Sequence, residues 1–353
     1  MKKHIFVWII MLAIGATGFL LGRGTVKPIS GKADPPDNLA AAADRAPAGK
    51  APAAADRAPD QAGAVAGVTA RFNATGAASK TKHLALNTSS ADWPKLTSLG
   101  YNVFDIGPDA GELAALPSGG QGMLWVGNTT CDDFELSYGE FTAAVRRLAG
   151  NPRVFGWYLS DEPDPAQCPG VVNEIRRRAD YIHAHASGQH AFVSATDYEY
   201  RPLRPANSHV DLIGLDPYPC ESHCDMRVVD RYLNGAMAGG FPRNAIVPVF
   251  QTFGEECSQG RAVNRLPSES QLRQLLARWK TFAPHPVLDI SYSWGHQDQW
   301  ACPTLKDADG TNGRPDLQRI MKAHNLSSGA ADPAPTQPKP KPKPPVCPPA
   351  KGD

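Results

Sequence analysis

The sequence lacks the short motifs that bind nucleotides or structural zinc. No glycine-rich loop follows a predicted strand, which argues against a phosphate-binding site. The seven cysteines form no pair of CxxC motifs, and no HxxxH spacing accompanies them, so a structural zinc site is not expected. We therefore expect no metal and no cofactor.

The part of the chain that holds the predicted strands and helices has no excess of basic residues. Residues 82–325 hold 22 Lys and Arg against 28 Asp and Glu, whereas the two flanks together hold 14 against 7. Nucleic-acid backbones are bound by clustered basic side chains, so this acidic body is not expected to bind nucleic acid.

Large apolar residues are scarce in both flanks, apart from one run near the N-terminus. Residues 5–21 are mostly apolar and follow Lys2 and Lys3, a pattern typical of an export signal. The run is long for a signal-peptide core and near the lower limit for a membrane span. We expect residues 1–24 to be a cleaved signal peptide or a membrane anchor. The protein is then secreted, or held outside the membrane through this segment alone.

The rest of both flanks has little to bury. Residues 25–80 are rich in Ala and Pro, and the heptapeptide AAADRAP occurs at 41–47 and again at 53–59. Such a composition cannot offset the entropy of ordering, so a disordered linker is expected. Residues 327–353 form a second disordered segment, a tail rich in Pro and Lys. The folded domain is expected at 81–326.

Strand-like and helix-like patterns alternate within this domain. Short apolar segments predict strands at 83–87, 102–107, 123–127, 154–160, 190–196, 210–215, 245–253 and 287–293. Helical spacing of apolar residues predicts helices at 91–99, 138–148, 171–186, 226–237, 268–282 and 316–324. Eight strands alternating with helices over about 245 residues predict an α/β fold, a (β/α)8 TIM barrel. An open doubly wound sheet is the second choice.

The fourth predicted strand leads directly into two adjacent carboxylates. Its sequence VFGWYLS is followed by Asp161, Glu162 and Pro163. Proline cannot donate to a β-ladder, so the strand is expected to stop there, at the end where parallel barrels build active sites. Side chains alternate along a strand, so we expect Glu162 to face the barrel mouth and Asp161 to point away and support it. The alternative is that the two carboxylates lie in a loop, where they cap the next helix or pair with Arg and have no catalytic role.

Most other predicted strands also end in polar or aromatic residues. With Asp161, the candidate substrate-binding residues are Asn87, Asp105, Asn128, Asp197, Tyr218, Gln251 and Trp294. Carboxylates and amides hydrogen-bond hydroxyl groups, and aromatic rings stack on sugar faces, so a mouth of this composition suits a carbohydrate. Tyr218 and Trp294 are the candidate stacking residues, and an aromatic wedge at the barrel rim is the alternative for either.

Three segments resemble TIM-barrel glycoside hydrolase-like proteins. They are GWYLSDEP at 156–163, DLIGLDPYP at 211–219 and VPVFQTFG at 247–254. The resemblance is to the clan whose fourth strand ends in the acid/base Glu, and it implies that role for Glu162. Two positions depart from the clan: Asp161 stands where Asn is usual, and Gln251 stands where the seventh strand carries a nucleophilic Glu.

Glycoside cleavage needs a second carboxylate opposite the proton donor. The two carboxyl groups lie about 5–5.5 Å apart in retaining enzymes and about 6.5–9.5 Å apart in inverting ones. Glu255 is the first candidate because it shares the strand parity of Gln251, and Asp216 is the second. Neighbouring carboxylates and aromatic walls are expected to raise the pKa of Glu162.

The sequence therefore predicts a hydrolase of O-glycosidic bonds in an extracellular polysaccharide or oligosaccharide, with a carbohydrate as its partner and a monomeric chain. Gln251 at the nucleophile position keeps open a non-catalytic carbohydrate-binding barrel of the cell envelope. A metal-dependent polysaccharide deacetylase is a distant third, since no pair of histidines accompanies the acids.

Six of the cysteines follow predicted strands, on the face where the site is expected. Behind an export signal they favour disulfide bonds, which would hold the long loops rigid. Cys131 and Cys168 would join neighbouring loops, whereas the pairing within the second group stays open: Cys220, Cys224, Cys257 and Cys302. Cys347 is left over, either free or intermolecular.

Overall fold

The computed structural model describes residues 80–327, except 129, 130, 132, 197–199, 258–262, 298, 299 and 307–312. The predicted N-terminal apolar segment, the linker up to residue 79 and the tail from residue 328, with Cys347, lie outside the described residues. Asp197 also lies outside them. Within the described part, no helix is both long enough and apolar enough to span a membrane.

Eight parallel strands close into a barrel in chain order. They are β1 (Lys82–Ala85), β2 (Val103–Ile106), β3 (Gln121–Trp125), β4 (Val154–Asp161), β5 (His190–Ala195), β6 (Leu212–Leu215), β7 (Ile246–Gln251) and β8 (Leu288–Tyr292). Each strand pairs with the next, and β8 pairs with β1. The predicted TIM barrel is confirmed, and the open doubly wound sheet is wrong because the ladder has no free edge.

A helix follows each strand. They are α1 (Trp93–Ser98), α2 (Ala110–Ala115), α3 (Tyr138–Leu148), α4 (Val171–His185), α5 (Pro205–Ser208), α6 (Arg227–Gly239), α7 (Glu269–Phe282) and α8 (Pro315–Ser327). The six predicted helices are all present. The two that were not predicted, α2 and α5, have six and four residues, too few to show helical periodicity.

Local signals in the sequence set where two of the long loops after the strands give way to helices. Ser137 accepts from the backbone of Glu140, and the Glu140 side chain accepts from the backbone of Ser137. Ser268 and Gln271 form the same reciprocal pair at the start of α7. Such capping boxes satisfy backbone N–H groups that the first helical turn leaves without partners, so each loop hands over to its helix at a defined residue.

Two apolar layers hold the barrel. The outer layer, between strands and helices, includes the fully buried Trp157, whose indole nitrogen donates to Gln189 Oε1 at 2.7 Å. The inner layer fills the barrel with side chains from the strands, among them Met123, Phe155 and Phe192. The interior is therefore a packed core, and only its carboxyl end is available for a site.

Gly127 lies just after β3 in a position too tight for a side chain. A Cβ atom there would lie 2.5 Å from the carbonyl oxygen of Leu159 in β4, whereas a Cβ at Gly139 on α3 would meet nothing within 4 Å. We expect Gly127→Ala to lower the free energy of unfolding by about 1–3 kcal/mol, because the β4 backbone must shift. Urea unfolding followed by far-UV circular dichroism measures the change.

The matched control is Gly139→Ala, which places the same methyl group on an exposed helical position. Its free energy of unfolding is expected to stay unchanged or to rise slightly, since alanine favours helix more than glycine does. Equal losses in the two variants would contradict the close approach of the β3 and β4 backbones.

Candidate active site

Three acidic side chains meet at the carboxyl ends of β4 and β6. Asp161 is the last residue of β4, Glu162 follows it, and Asp216 comes directly after β6. Burial raises the pKa of Asp216 well above its ordinary value, and the charges of Glu162 and Asp161 add to this increase. The three groups therefore lie close enough to influence one another electrostatically.

The shape of β4 explains why Asp161 belongs to this group. The register of β4 shifts against β3 near the start of the strand, and against β5 between Tyr158 and Ser160. Tyr158 consequently packs inside the barrel, and Asp161 lies beside Ser194, whose hydroxyl also reaches the acid cluster. The Tyr158 hydroxyl donates to Asp161 Oδ1 at 2.7 Å. Bulges of this kind re-aim side chains near functional sites.

The expectation that Asp161 points away from the mouth is wrong, because its charge acts on Asp216 and Tyr292, as that of Glu162 does. Glu162 has a φ of 48°, in the left-handed region that residues other than glycine rarely adopt. Strand alternation therefore does not continue into Glu162, and the charge of Asp161 contributes to the raised pKa of Glu162. Backbone conformations of this kind cluster at functional sites.

Glu162 has the protonation behaviour that a proton donor needs. Burial, followed by the charge of Asp161, raises its pKa to about 7. A carboxylic acid with a pKa near the working pH can both hold a proton and release it to a substrate.

The companions of Glu162 have defined hydrogen-bond donors. Ser194 Oγ lies 2.8 and 2.7 Å from the two oxygens of Asp216, and the Tyr218 hydroxyl lies 3.4 Å from Oδ2. Burial also raises the pKa of Asp161, while the hydrogen bond from Tyr158 favours its ionised form. These contacts fix both carboxylates in place before any ligand binds.

Aromatic rings line the mouth around the acids. Trp125, the last residue of β3, meets Tyr158 edge to face with ring centroids 4.9 Å apart. Tyr218 and Tyr292 are stacked, with centroids 5.7 Å apart and planes inclined by 26°. Trp125 and Tyr292 were not predicted as site residues, although each is the last residue of its strand. Their position at the end of a strand is the feature by which they could have been predicted.

Asn87 and Asp105 connect two sides of the mouth. Asp105 accepts from the Asn87 backbone at 3.0 Å and from the Thr88 hydroxyl at 2.6 Å. The Asn87 side chain donates to Gln297 Oε1 at 3.1 Å, and the Tyr292 hydroxyl donates to the same oxygen. Burial raises the pKa of Asp105 to about 7. These residues lie beside the mouth and hold Tyr292 in position.

Asn128 holds the end of β4, next to Asp161, through hydrogen bonds. Its side-chain oxygen accepts from Ser160 Oγ at 2.6 Å, its amide donates to the Cys131 carbonyl, and its own carbonyl accepts from the Asp161 backbone at 2.8 Å. The residue is buried. Its polar groups therefore stabilise the end of β4, so the expectation of a direct sugar contact changes to one of support.

Gln251 is not placed to bind a sugar, which corrects the sequence-based expectation. It is fully buried, and its side-chain oxygen accepts from the Cys220 backbone at 2.8 Å. Its amide donates to the carbonyls of Cys220 at 2.9 Å and Arg265 at 3.1 Å. The side chain thus joins the loops that follow β6 and β7, which leaves no polar group for a ligand.

Glu255, the first candidate for the second carboxylate, is held by its own loop, and its charge acts on Tyr292 at the mouth, so that role stays a prediction. One oxygen accepts from the backbones of Val263 and Asn264 at 2.7 and 3.2 Å, and the other accepts from the Asn264 amide at 2.8 Å. The parity argument fails because β7 ends at Gln251 and the following residues are not extended strand. Asp216, the second choice, is the acid that reaches the cluster.

The expectation that Trp294 stacks on a sugar is also wrong. It is 2% exposed and packs in the layer between barrel and helices, so its ring cannot stack on a sugar. Strand β8 ends at Tyr292, and that ring lies at the mouth instead.

Three disulfides brace the loops on the mouth side. Cys131–Cys168 joins the loops after β3 and β4, as predicted, with Cα atoms 5.1 Å apart. Cys257–Cys302 joins the loops after β7 and β8, and Cys220–Cys224 closes a short turn after β6.

Possible metal ligands converge elsewhere. Among the residues that the structure describes, one group of three brings its donor atoms within 4.8 Å of one another, namely His83, Asp289 and His324. That group lies at the amino-terminal end of the barrel, away from the three acids.

No family model matches the sequence, and no curated protein matches it. Solved structures with a similar fold include a chitinase from Flavobacterium johnsoniae, 10% identical over 72% of this chain and 98% of its own, with a TM-score of 0.43. A chitinase from Chromobacterium violaceum is 11% identical over 70% of this chain and 99% of its own, with a TM-score of 0.45. A β-glucuronidase from Bifidobacterium dentium is 12% identical over 70% of this chain and 46% of its own, with a TM-score of 0.46.

The scaffold role of Gln251 is testable by placing there the carboxylate that the resemblance led us to look for. In Gln251→Glu the carboxylate would face the carbonyl oxygens of Cys220 and Arg265. The two buried carbonyls would lose the amide N–H groups that donate to them. This loss is expected to lower the free energy of unfolding by about 1–3 kcal/mol at neutral pH. Chemical denaturation measures the change.

The exposed Gln274 of α7 provides the matched control, because Gln274→Glu makes the same chemical change in solvent. Its stability is expected to stay within about 0.5 kcal/mol of the parent. A Gln251→Glu protein as stable as this control would contradict the structural role of the amide.

Proposed function

We propose that this protein hydrolyses O-glycosidic bonds in an extracellular polysaccharide or oligosaccharide. The observation that carries the proposal is Glu162, whose pKa is raised to about 7 at a barrel mouth that also holds Asp161 and Asp216. A proton donor beside further carboxylates, within aromatic walls, is the arrangement that glycoside cleavage requires.

Glu162 is assigned the role of general acid. In its protonated form it donates to the glycosidic oxygen as the bond from that oxygen to the anomeric carbon breaks. Positive charge then develops on the sugar ring, and an ionised carboxylate stabilises it. Water adds to the anomeric carbon and gives one proton to a carboxylate of the cluster, which leaves the new hydroxyl group and restores the proton that Glu162 donated.

Asp161 and Asp216 are the two candidates for that ionised carboxylate. Three neighbouring acids that are partly or fully buried cannot all be ionised near neutral pH, because each negative charge raises the pKa of the others. The hydrogen bond from Tyr158 favours the anion at Asp161, while burial and its neighbours raise the pKa of Asp216 well above its ordinary value. The variants Asp161→Asn and Asp216→Asn distinguish the two roles.

The assignment of Glu162 predicts the effect of one substitution. We expect Glu162→Gln to lower kcat/KM by roughly 10²- to 10⁴-fold, because the amide cannot protonate the leaving oxygen. Release of reducing ends is measured from a panel of neutral, uronic acid and N-acetylated amino sugar glycans.

The control is Glu269→Gln, the same change on the surface of α7, which is expected to keep full activity. Activity that survives equally in both variants would rule out Glu162 as the acid. Binding affinity, measured by calorimetry, separates a loss of chemistry from a loss of substrate.

The raised pKa of Glu162 also predicts the pH profile. The acid works only while protonated, so kcat/KM is expected to fall as the pH rises through about 7. In Asp161→Asn the neighbouring negative charge is gone, so the pKa of Glu162 falls and this alkaline limb moves to lower pH. Burial, the larger cause, remains, so the limb stays above the range of an ordinary Glu. A limb that keeps its position in Asp161→Asn would contradict this coupling.

A second candidate function is carbohydrate binding without turnover. The observation in its favour is that β7 supplies no carboxylate, since Gln251 is committed to the loop backbones. Saturable glycan binding that is unchanged in Glu162→Gln, with no product from either protein, would favour this reading.

We infer that the barrel lies outside the cytoplasm, either secreted or attached through residues 1–24. Three disulfides support this placement, because such bonds persist mainly in oxidising compartments.

A further inference from the structure

A second cluster of reactive side chains lies at the floor of the barrel, the end opposite the mouth. His83 is the second residue of β1 and Asp289 is the second residue of β8, and the two are partners in the strand register. His324 reaches them from α8, the last helix of the described chain. The cluster therefore lies on the seam where the first and last strands close the barrel.

Both oxygens of Asp289 face an imidazole nitrogen. His83 Nδ1 lies 2.7 Å from Oδ1, and His324 Nε2 lies 2.8 Å from Oδ2. One donor atom from each of the three residues lies within 4.8 Å of the other two. The three side chains thus bring their donor atoms together at this end of the barrel.

Burial makes this cluster unlike an ordinary surface ion pair. The side chains of His83 and Asp289 are 2% and 3% exposed, whereas that of His324 is 23% exposed. A carboxylate buried this deeply requires compensating positive charge or several hydrogen bonds. The partly exposed imidazole of His324 leaves a route by which an ion from solvent can reach the carboxylate.

The chemistry of the three donors selects the ion. Two imidazole nitrogens and one carboxylate form a ligand set typical of Zn²⁺, with a fourth position for water. Oxygen-preferring ions such as Ca²⁺ and Mg²⁺ are bound by carboxylates and carbonyls, so nitrogen-rich donors disfavour them. Neutral imidazole can carry its proton on the other ring nitrogen, which frees the nitrogen that faces Asp289.

We propose that His83, Asp289 and His324 form a binding site for a divalent transition metal, with Zn²⁺ as the best fit. The ion joins β1, β8 and α8, so it fastens the last helix across the closing seam of the barrel. Hydrogen bonds between the same groups hold the cluster in the metal-free protein. This site is independent of the proposed function, because it lies at the end of the barrel away from Glu162.

The test measures zinc binding by the untagged full-length protein after removal of metal with a chelator. Equilibrium dialysis against ZnCl₂ is expected to give one tightly bound ion per chain, and a rise in the midpoint of thermal unfolding accompanies binding. Co²⁺ in place of Zn²⁺ is expected to give the visible absorption of a low-symmetry nitrogen and oxygen site.

The decisive variant is His324→Gln. Glutamine can still donate a hydrogen bond to Asp289, so the fold is retained, but the imidazole ligand is lost. Zinc binding is expected to weaken by roughly 100-fold or more, since even outer-shell partners of metal ligands change affinity by about 10- to 100-fold. Far-UV circular dichroism without metal confirms that the variant is folded.

His183→Gln is the matched control, because His183 on α4 contacts Asp211 at 2.9 Å as part of a separate pair. It is expected to bind zinc as the parent does. Equal zinc affinity in the parent and in His324→Gln would overturn the proposal, as would a parent thermal midpoint that zinc leaves unchanged. Either result would identify the cluster as a hydrogen-bonded clamp only.

Discussion

The repulsion among three carboxylates, one buried and two partly buried, is the constraint on which the mouth of this barrel depends. Asp161, Glu162 and Asp216 each lose solvation, and two of them raise the pKa of the third, so the group retains protons near neutral pH. Keeping such groups together requires a scaffold that prevents them from moving apart. Tyr158 and Ser194 meet that requirement from inside the barrel, since each donates to one of the acids.

The rim of the mouth is held by contacts between the loops that follow the strands. Gln251 bridges the loops after β6 and β7, a disulfide joins those after β7 and β8, and Asn87 reaches from β1 to the loop after β8. The last residue of β7 thus joins two loops through hydrogen bonds and does not supply a reactive group. A rim fixed in this way costs little further ordering when a ligand binds, which favours recognition of a rigid sugar ring.

The sequence predicts the barrel and the location of its site, because both follow from patterns that repeat along the chain. Eight apolar segments with helical connections imply closure, and Pro163 marks where β4 must stop. The predictions that were wrong concern single residues and their local backbone. The shifted register of β4 and the left-handed φ of Glu162 depend on the neighbouring strands, so alternation could not assign the direction of Asp161. Trp294 and Gln251 have the right chemistry, but only packing shows that both are buried.

Pairing of β1 with β8 turns the sheet into a ring, and α8 crosses that junction. A ring has no terminal strand from which the ladder can peel, so removing any one strand breaks its interfaces with both neighbours. Backbone amides of the first and last strands are consequently expected to exchange with solvent as slowly as those of β4 and β5, through cooperative opening of the whole barrel. Chain closure of this kind also requires contacts between residues more than 200 positions apart, as between Asn325 and Leu99, so folding is expected to be slow.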